Sequence, residues 1–369
     1  MRKFDFPKRL SGAILLLSAA FFATIWLLTF HPDELQTETV TSPASAPLLQ
    51  PGQKLKILTW NVQFMAGKNY VFWHDTPNFD GPHERPSPED IARTLAEVSR
   101  VIRAENPDIV LLQEVDDGGR RTDHEDQLAR LLAALPPEYS SHVSAFYWKA
   151  AFVPHPRILG SVGMKLATIS KYKISHTRRH QLALPPNDII TRQFSTKRAF
   201  LEARLPLSNG AEFVVLNTHL DAFAAGTNTM HLQVVEIDSI LAALDACGMA
   251  WVLGGDFNLL PPDEAAYHRL PESHKSYYQQ HSEIAPLYQK YQVLPNWEEV
   301  TGLDYQKWFT HFPNDPAAAG PDRTIDYLIF PKSMQVDSHY VRQKDALKIS
   351  DHLPVTAILQ VPDNLSNEL

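Results

Sequence analysis

Residues 10–30 form an apolar run of 21 positions without a charge, broken only by Gly12 and the hydroxyls Ser11, Ser18, Thr24 and Thr29. At the ~1.5 Å rise of a helix, such a run crosses a hydrocarbon core of about 30 Å. Arg2, Lys3, Lys8 and Arg9 precede it with Asp5 alone opposing them, while Asp33, Glu34 and Glu38 follow. The positive-inside bias then leaves residues 1–9 as a cytoplasmic basic tail and exports everything after Phe30, to the periplasmic side of the inner membrane in a Gram-negative cell. Trp26 suits an interfacial anchor. A cleaved secretory signal has the same charge order, but its apolar core usually spans about 7–15 residues and ends in a small-x-small site. Here the run is longer and ends in Trp26, Leu27, Leu28, Thr29 and Phe30. An uncleaved single-pass anchor embedded in the lipid bilayer is therefore the expectation. Residues 31–53 turn to Thr, Ser, Pro, Ala and Glu without periodicity and read as a flexible linker, with an end-to-end distance of about 26 Å.

From residue 54 to residue 361, short β-branched runs alternate with segments of helical period. Residues 55–62, 108–115, 212–220, 251–257, 324–330 and 354–361 read as strands, several apolar on both faces and therefore buried. Ser87, Pro88, Glu89 and Asp90 supply an N-cap, a proline at the first helical position and early acids. The helix they open carries Ile91, Leu95, Val98 and Ile102 on one face through residue 104. Further helices are expected at 127–135, at 230–246 with Gly248 as its stop, and at 263–270. No repeat and no internal linker divides 54–361, so one α/β domain is expected, followed by a tail at 362–369.

Composition narrows the class. Lys and Arg number 34 against 42 Asp and Glu, a formal charge of −8, which argues against a general basic sheath for nucleic acid. The single cysteine, Cys247, excludes an internal disulfide and a cysteine-based zinc site. Neither a Gly-x-Ser-x-Gly elbow nor a His-Glu-x-x-His helix is present.

The chemistry gathers at strand ends, where α/β sites form. In order these carry Trp60-Asn61, Gln113-Glu114, Asn217-Thr218-His219, Gly255-Asp256-Phe257-Asn258, Ile325-Asp326-Tyr327 and Ser350-Asp351-His352. Taken singly, each block also suits a turn, a solvated strand end or a satisfied buried histidine. Together they hold the parts of metal-assisted phosphoester hydrolysis. Glu114 and Asn61 are hard oxygen donors of the kind Mg²⁺ prefers, and Mn²⁺ or Ca²⁺ would also suit them. His219 and His352 exchange protons near neutrality, and an acid such as Asp326 fixes an imidazole's tautomer. Asp256 and Asn258, two apart, would share a strand face, one to orient a water and one to meet a phosphate oxygen.

These blocks, in this order over roughly residues 55–360, resemble the endonuclease/exonuclease/phosphatase superfamily of metal-dependent hydrolases, in particular its deoxyribonuclease and neutral sphingomyelinase branches. The resemblance implies an α/β fold, a four-layered sandwich of two mostly antiparallel sheets with helices outside and the site at one rim. It implies a metal site at Asn61 and Glu114, with Glu114 the direct ligand and Asp351 beside it. Asp256 would activate the attacking water, Asn258 contact phosphate, and the His352–Asp326 pair stabilise the transition state. His219 matches a histidine that acts as general acid in those two branches. One block departs: residues 163–170 keep strand character but lack the asparagine many relatives carry there. The stretch Arg120-Arg121-Thr122-Asp123 resembles a segment of bacterial members.

The substrate then follows from surroundings. Residues 165–204 hold nine Lys or Arg against Asp188 and Glu202, a segment that would contact nucleic-acid phosphates or anionic lipid. Aromatic clusters in the expected loops, Tyr70, Phe72, Trp73 and Phe79, then Phe146, Tyr147, Trp148 and Phe152, and Trp308 with Phe309, suit base stacking or a bilayer interface. Tethering raises the effective concentration of lipid headgroups, so a lipid phosphodiesterase is expected ahead of an extracytoplasmic nuclease and a phosphomonoesterase. A non-catalytic binding module of the same fold has no reason to keep every acid, amide and histidine of the set.

Overall fold

The computed structural model describes residues 6–222, 224, 226–363 and 365, with side chains from residue 11 onward. Arg2, Lys3 and Asp5 of the expected basic tail lie outside the described residues, as does most of the tail at 362–369. Helix α1 (Phe6–Leu28) covers the apolar run up to its last two residues and is long and apolar enough to cross a membrane.

Fourteen strands follow among the described residues. They are β1 (Leu35–Gln36), β2 (Val40–Thr41), β3 (Lys54–Asn61), β4 (Ile109–Asp116), β5 (Ser141–Val153), β6 (Gly160–Ser170), β7 (His176–Gln181), β8 (Ala199–Pro206), β9 (Glu212–His219), β10 (Ala250–Asp256), β11 (Gln292–Leu294), β12 (Asp326–Phe330), β13 (Val336–Val341) and β14 (Val355–Gln360). The first sheet runs β13-β14-β3-β4-β6-β5-β2 and the second β1-β7-β8-β9-β10-β12-β11. Each is antiparallel except at one pair, β3 with β4 and β9 with β10. Both parallel pairs end in the chemistry: Asn61 lies opposite Gln113, and Asp256 opposite His219.

Layering follows from which faces are apolar. Leu111 and Ala167 of the first sheet meet Leu201, Val215 and Leu328 of the second in the main core. Helices α2 (Pro88–Glu105) and α3 (Gln127–Ala134) cover the first sheet, with Ile91, Leu95, Val98 and Ile102 turned inward. Ser87 Oγ accepts from the Asp90 N–H at 3.1 Å, the cap expected of that sequence. The short α4 (Thr191–Phe194) leads into β8, and α5 (Thr229–Ala246) lays Val234, Ile237 and Leu241 against Trp251 and Tyr327 on the second sheet. The fold is the expected sandwich. Gly254 of β10 permits the close approach of the two sheets, since a Cβ there would stand 2.7 Å from Leu111 Cδ1 and 3.2 Å from Thr59 Cβ of the first sheet.

The flexible linker expected at 31–53 is instead built into the domain. Leu35 and Gln36 pair with His180 and Arg179, and Val40 and Thr41 pair with Val143 and His142, so the segment closes an edge of each sheet. Leu49 is fully buried, its N–H donating to Pro206 O and its carbonyl accepting from Ser208. Edge pairing needs backbone groups rather than periodic apolar side chains, which is why a segment so rich in Thr, Ser and Pro conceals it. Deleting residues 1–53 therefore exposes two sheet edges and opens a hole where Leu49 sat. Against a chain that begins at residue 30, it should lose at least ~2–4 kcal/mol in a denaturant titration; equal midpoints would show the segment to be dispensable.

Candidate active site

The two parallel pairs place their carboxyl ends side by side. Asn61 Nδ2 donates to Glu114 Oε1 at 3.2 Å and to Asp256 Oδ2 at 3.0 Å, bridging the two sheets. Its Oδ1 accepts the Gln63 N–H at 3.0 Å, which fixes the amide. His219 Nε2 stands 3.2 Å from Asp256 Oδ2 and 4.0 Å from Glu114 Oε1. On the other side, His352 Nδ1 donates to both Asp326 oxygens, at 2.9 and 3.0 Å, and its Nε2 faces Asp256 Oδ2 at 3.5 Å. Gln63 Nε2 holds Asp351 at 2.9 Å. Asn258 donates its N–H to Asp256 Oδ1 and its Nδ2 to Leu220 O. Asn61, Glu114, His219, Asp256, Asn258, Asp326, Asp351 and His352 thus meet at one rim, with Asp256 touching four of the others.

Local backbone aims several of these groups. Glu114 sits at φ 57° in a bulge where the pairing of β4 with β6 slips between Leu112 and Val115. A left-handed glutamate is costly and persists where its surroundings determine it; here the bulge turns the carboxylate to Asn61. Gln63 and Asn258 also adopt positive φ, 46° and 50°. Ser350 Oγ ties to Asn61 O and Trp60 Nε1 to His352 O, both at 2.9 Å, locking the β14 approach to β3. Asn217 and Gln113 do not join the chemistry: Gln113 Nε2 donates to Asn217 Oδ1, and Asn217 Nδ2 to Leu112 O and Ala167 O, stitching the sheets together.

Charge in this buried cluster is unevenly held. Burial lowers His352, yet Asp326 and Asp256 overcome it and lift the imidazole to about 10, so it is a cation at neutral pH. Burial raises Asp256 well above the usual carboxylate range, with His352 pulling it down and Asp326 pushing it up. Burial lifts Asp351 to about 6. Burial, then Arg198 and His352, hold His219 far below the ordinary histidine value, so its ring is neutral and serves as a hydrogen-bonding group rather than a charged acid.

Four carboxylates against one charged imidazole leave negative charge that a divalent cation would offset. Ligand atoms of Asp256, Asp326 and His352 lie within 4.8 Å of one another, as do those of His311, Asp351 and His352. The first group is already satisfied as a hydrogen-bonded pair with its neighbour. The hard oxygens of Glu114 and Asp351 fit a Mg²⁺-type ion better than the histidines do. Asn61 offers N–H rather than oxygen toward Glu114, so it positions that carboxylate. Asp256 takes up a proton as the pH falls through about 7 and Asp351 as it falls through about 6, and protons compete with a cation. Mg²⁺ at a hundredfold excess over its pH 8 Kd should therefore stabilise the protein by about 3 kcal/mol at pH 8, and the same concentration by less at pH 5. The Glu114→Gln variant should lose that increment. A pH-independent increment, or one Glu114→Gln retains, would remove the cation from this place.

A cavity of about 570 Å³ opens over the cluster. Trp73, Tyr147 and Trp148 line it, as do His274, Tyr277 and Tyr278 from the 262–300 region whose role the sequence leaves open. Trp308 and Phe309 stand elsewhere. Gln63 and His311 carry no signal in the sequence, while Tyr147 stands out there only as part of an aromatic cluster and Arg198 only as part of the basic stretch. The Tyr147 ring packs edge-on to His219 at 5.4 Å, and His311 to His352 at 4.5 Å. The buried Arg198 has its nearest carboxylate, Asp221, at 3.6 Å. Residue type does not say which member of a cluster or stretch reaches the site, so only the fold brings these there.

The basic stretch at 165–204 does not form one face. Lys165 binds Asp117, Arg204 binds Glu202 and Glu212, and the fully buried Arg179 donates to the carbonyls of Phe146 and Lys197. Sequence neighbours alternate across sheet faces, which disperses a linear charge excess.

Residues 58–352 match the Endonuclease/Exonuclease/phosphatase family. No curated protein matches the sequence. Among solved structures, an endonuclease/exonuclease/phosphatase from Beutenbergia cavernae DSM 12333 is similar with a TM-score of 0.53 and 24% identity, over 84% of this chain and 72% of that one. ANGEL2, a 2′,3′-cyclic phosphatase, is similar with a TM-score of 0.51 and 13% identity, over 88% and 98%. Both are likenesses of fold.

Proposed function

Because the chain belongs to the endonuclease/exonuclease/phosphatase family of phosphoester hydrolases, we propose that it is a membrane-anchored, Mg²⁺-dependent phosphodiesterase acting on lipid headgroups. The observation that carries the lipid reading is the junction of anchor and domain. Thr29, one residue past α1, pairs with Ala150 of β5, and Phe30 packs on Phe146 at 6.4 Å. Tyr147 and Trp148, on that same strand, line the cavity. With α1 spanning the bilayer, N-terminus in the cytoplasm and catalytic domain outside, no spacer carries the site away from the headgroups.

The residues divide the reaction between them. Glu114, with Asp351 beside it, would hold a divalent cation, which would supply charge neutralisation and polarise a phosphoryl oxygen. Asp256, held by Asn61 and His219, orients a water for attack on phosphorus and takes its proton, its raised affinity for protons suiting that task at neutral pH. His352, kept cationic by Asp326, donates Nε2–H toward the oxygen on which negative charge develops. Arg198 and Asn258, both lining the cavity, offer further donors to phosphate. His219, neutral, keeps the Asp256 carboxylate in place and stands next to where a leaving oxygen departs.

The full chain, reconstituted in vesicles with Mg²⁺, separates the substrate classes. Mixed phospholipid vesicles, single-stranded DNA, duplex DNA and an aryl phosphomonoester are compared, with Asp256→Asn as the blank. Headgroup release exceeding the other activities supports the lipid reading. Cleavage of DNA alone would make the anchor only an address and the protein an extracytoplasmic nuclease.

A further inference from the structure

Five apolar side chains outside the cavity, Phe152, Leu159, Leu184, Ile189 and Ile190, stand between 39% and 62% exposed. They belong to two chain segments. Phe152 and Leu159 flank the turn from β5 into β6, and Leu184, Ile189 and Ile190 lie between β7 and α4. The structure clasps these segments together. Trp148 Nε1 donates to Phe194 O at 2.7 Å, Lys197 N–H to Tyr147 O at 2.5 Å, and Phe194 packs against the cluster of Ala150, Val153 and Val162.

The end of α1 abuts the same place. Thr29 pairs with Ala150, two residues before Phe152, a strand distance of about 7 Å. Leu27 is 81% exposed, and Trp26 stacks on His31 at 3.5 Å, so the helix reaches β5 with its apolar surface bare. A bilayer interface accepts apolar groups to a depth of about 5–10 Å, a range that spans this separation. Lys149, Arg157 and Arg192 in the two segments suit anionic headgroups at that level. Single exposed apolar residues are ordinary, but five on two interlocked segments beside a membrane helix are a patch that water alone does not explain.

We propose that Phe152, Leu159, Leu184, Ile189 and Ile190 form a docking rim that enters the interface of the bilayer spanned by α1. Trp148, Ile158 and Pro185, in the same two segments, line the cavity, so docking sets that wall of the site at headgroup depth. The proposal rests on the anchor reading and not on the identity of the substrate.

The test uses the full chain with Cys247→Ser, carrying one cysteine in place of Leu159, Ile190 or Leu303 and a bimane label on it. Leu303, fully exposed, precedes Trp308, whose ring stacks on His339 of β13 at the opposite edge of the first sheet from β5. Each labelled chain is reconstituted in phosphatidylcholine vesicles with and without dibrominated acyl chains. Labels at 159 and 190 should lose more than half their fluorescence to the brominated lipid while the label at 303 is unaffected. Equal quenching at all three positions, in chains that resist alkaline extraction from the vesicles, would overturn the docking rim. Loss of the chains on alkaline extraction would instead overturn the anchor, and the rim with it. Matching melting temperatures for the three labelled chains establish that they share one fold.

Discussion

Asp256→Asn lowers phosphodiester turnover about a thousandfold while leaving KM and the melting temperature near those of the parent, the scale for loss of a group that activates the nucleophile. The size of the effect comes from position. Asp256 faces Asn61 at 3.0 Å, His219 at 3.2 Å and His352 at 3.5 Å, so one carboxylate joins the metal side of the site to the histidine side. Asparagine keeps the shape and, with its oxygen toward Asn61, that bridge, giving up the Asn258 N–H contact, and it cannot take a proton from water. Because the buried carboxylate is held protonated more readily than usual, its removal relieves desolvation and should not unfold the protein. Steady-state kinetics on a soluble aryl phosphodiester, with thermal melts alongside, check this. Turnover within about tenfold of the parent would move nucleophile activation to another group.

His352→Ala is expected to cost at least ~10²-fold in turnover, since it removes a preorganised cationic donor. Asp326→Asn gives the sharper reading because it leaves the imidazole in place. In the parent, Asp326 and Asp256 overcome burial and raise His352 to about 10. The charged form is present below that value and is lost as pH rises through it. With Asp326 neutralised, burial is opposed only by the carboxylates of Asp256 and Asp351, and the alkaline limb of the pH–rate profile should move down toward the ordinary histidine value near 6.5. An alkaline limb that stays in place would mean that His352 does not supply the charge, whatever the loss in rate.

Much of the site is legible in the amino-acid sequence. Strand ends at Asn61, Glu114, His219 and Asp256 follow from apolar runs that stop at polar residues, and Ser87-Pro88 announces α2. What stays hidden depends on the third dimension. The left-handed bulge that turns Glu114 toward Asn61 leaves no trace in residue type. The role of Asn61 changes once its oxygen is seen to accept the Gln63 N–H, making the amide a donor between two carboxylates. Arg198, Tyr147 and His311 sit in ordinary strand or loop contexts and reach the site through sheet packing. The basic segment 165–204 misleads because a linear excess of charge says nothing of which face each residue takes; the buried Arg179 and the paired Lys165 and Arg204 disperse it. Residues 31–53 mislead for the opposite reason, since their contribution is backbone pairing and two buried side chains, Ala46 and Leu49.

The central claim is that this rim hydrolyses phosphoesters with a divalent cation at Glu114. Its most direct test is turnover of a soluble aryl phosphodiester by the full chain, stripped with chelator and titrated with Mg²⁺, beside Glu114→Gln. Turnover should be absent without the cation, recover saturably in the parent, and follow a strongly right-shifted titration in the variant. Full turnover in chelator, or identical titrations for parent and variant, would contradict that claim.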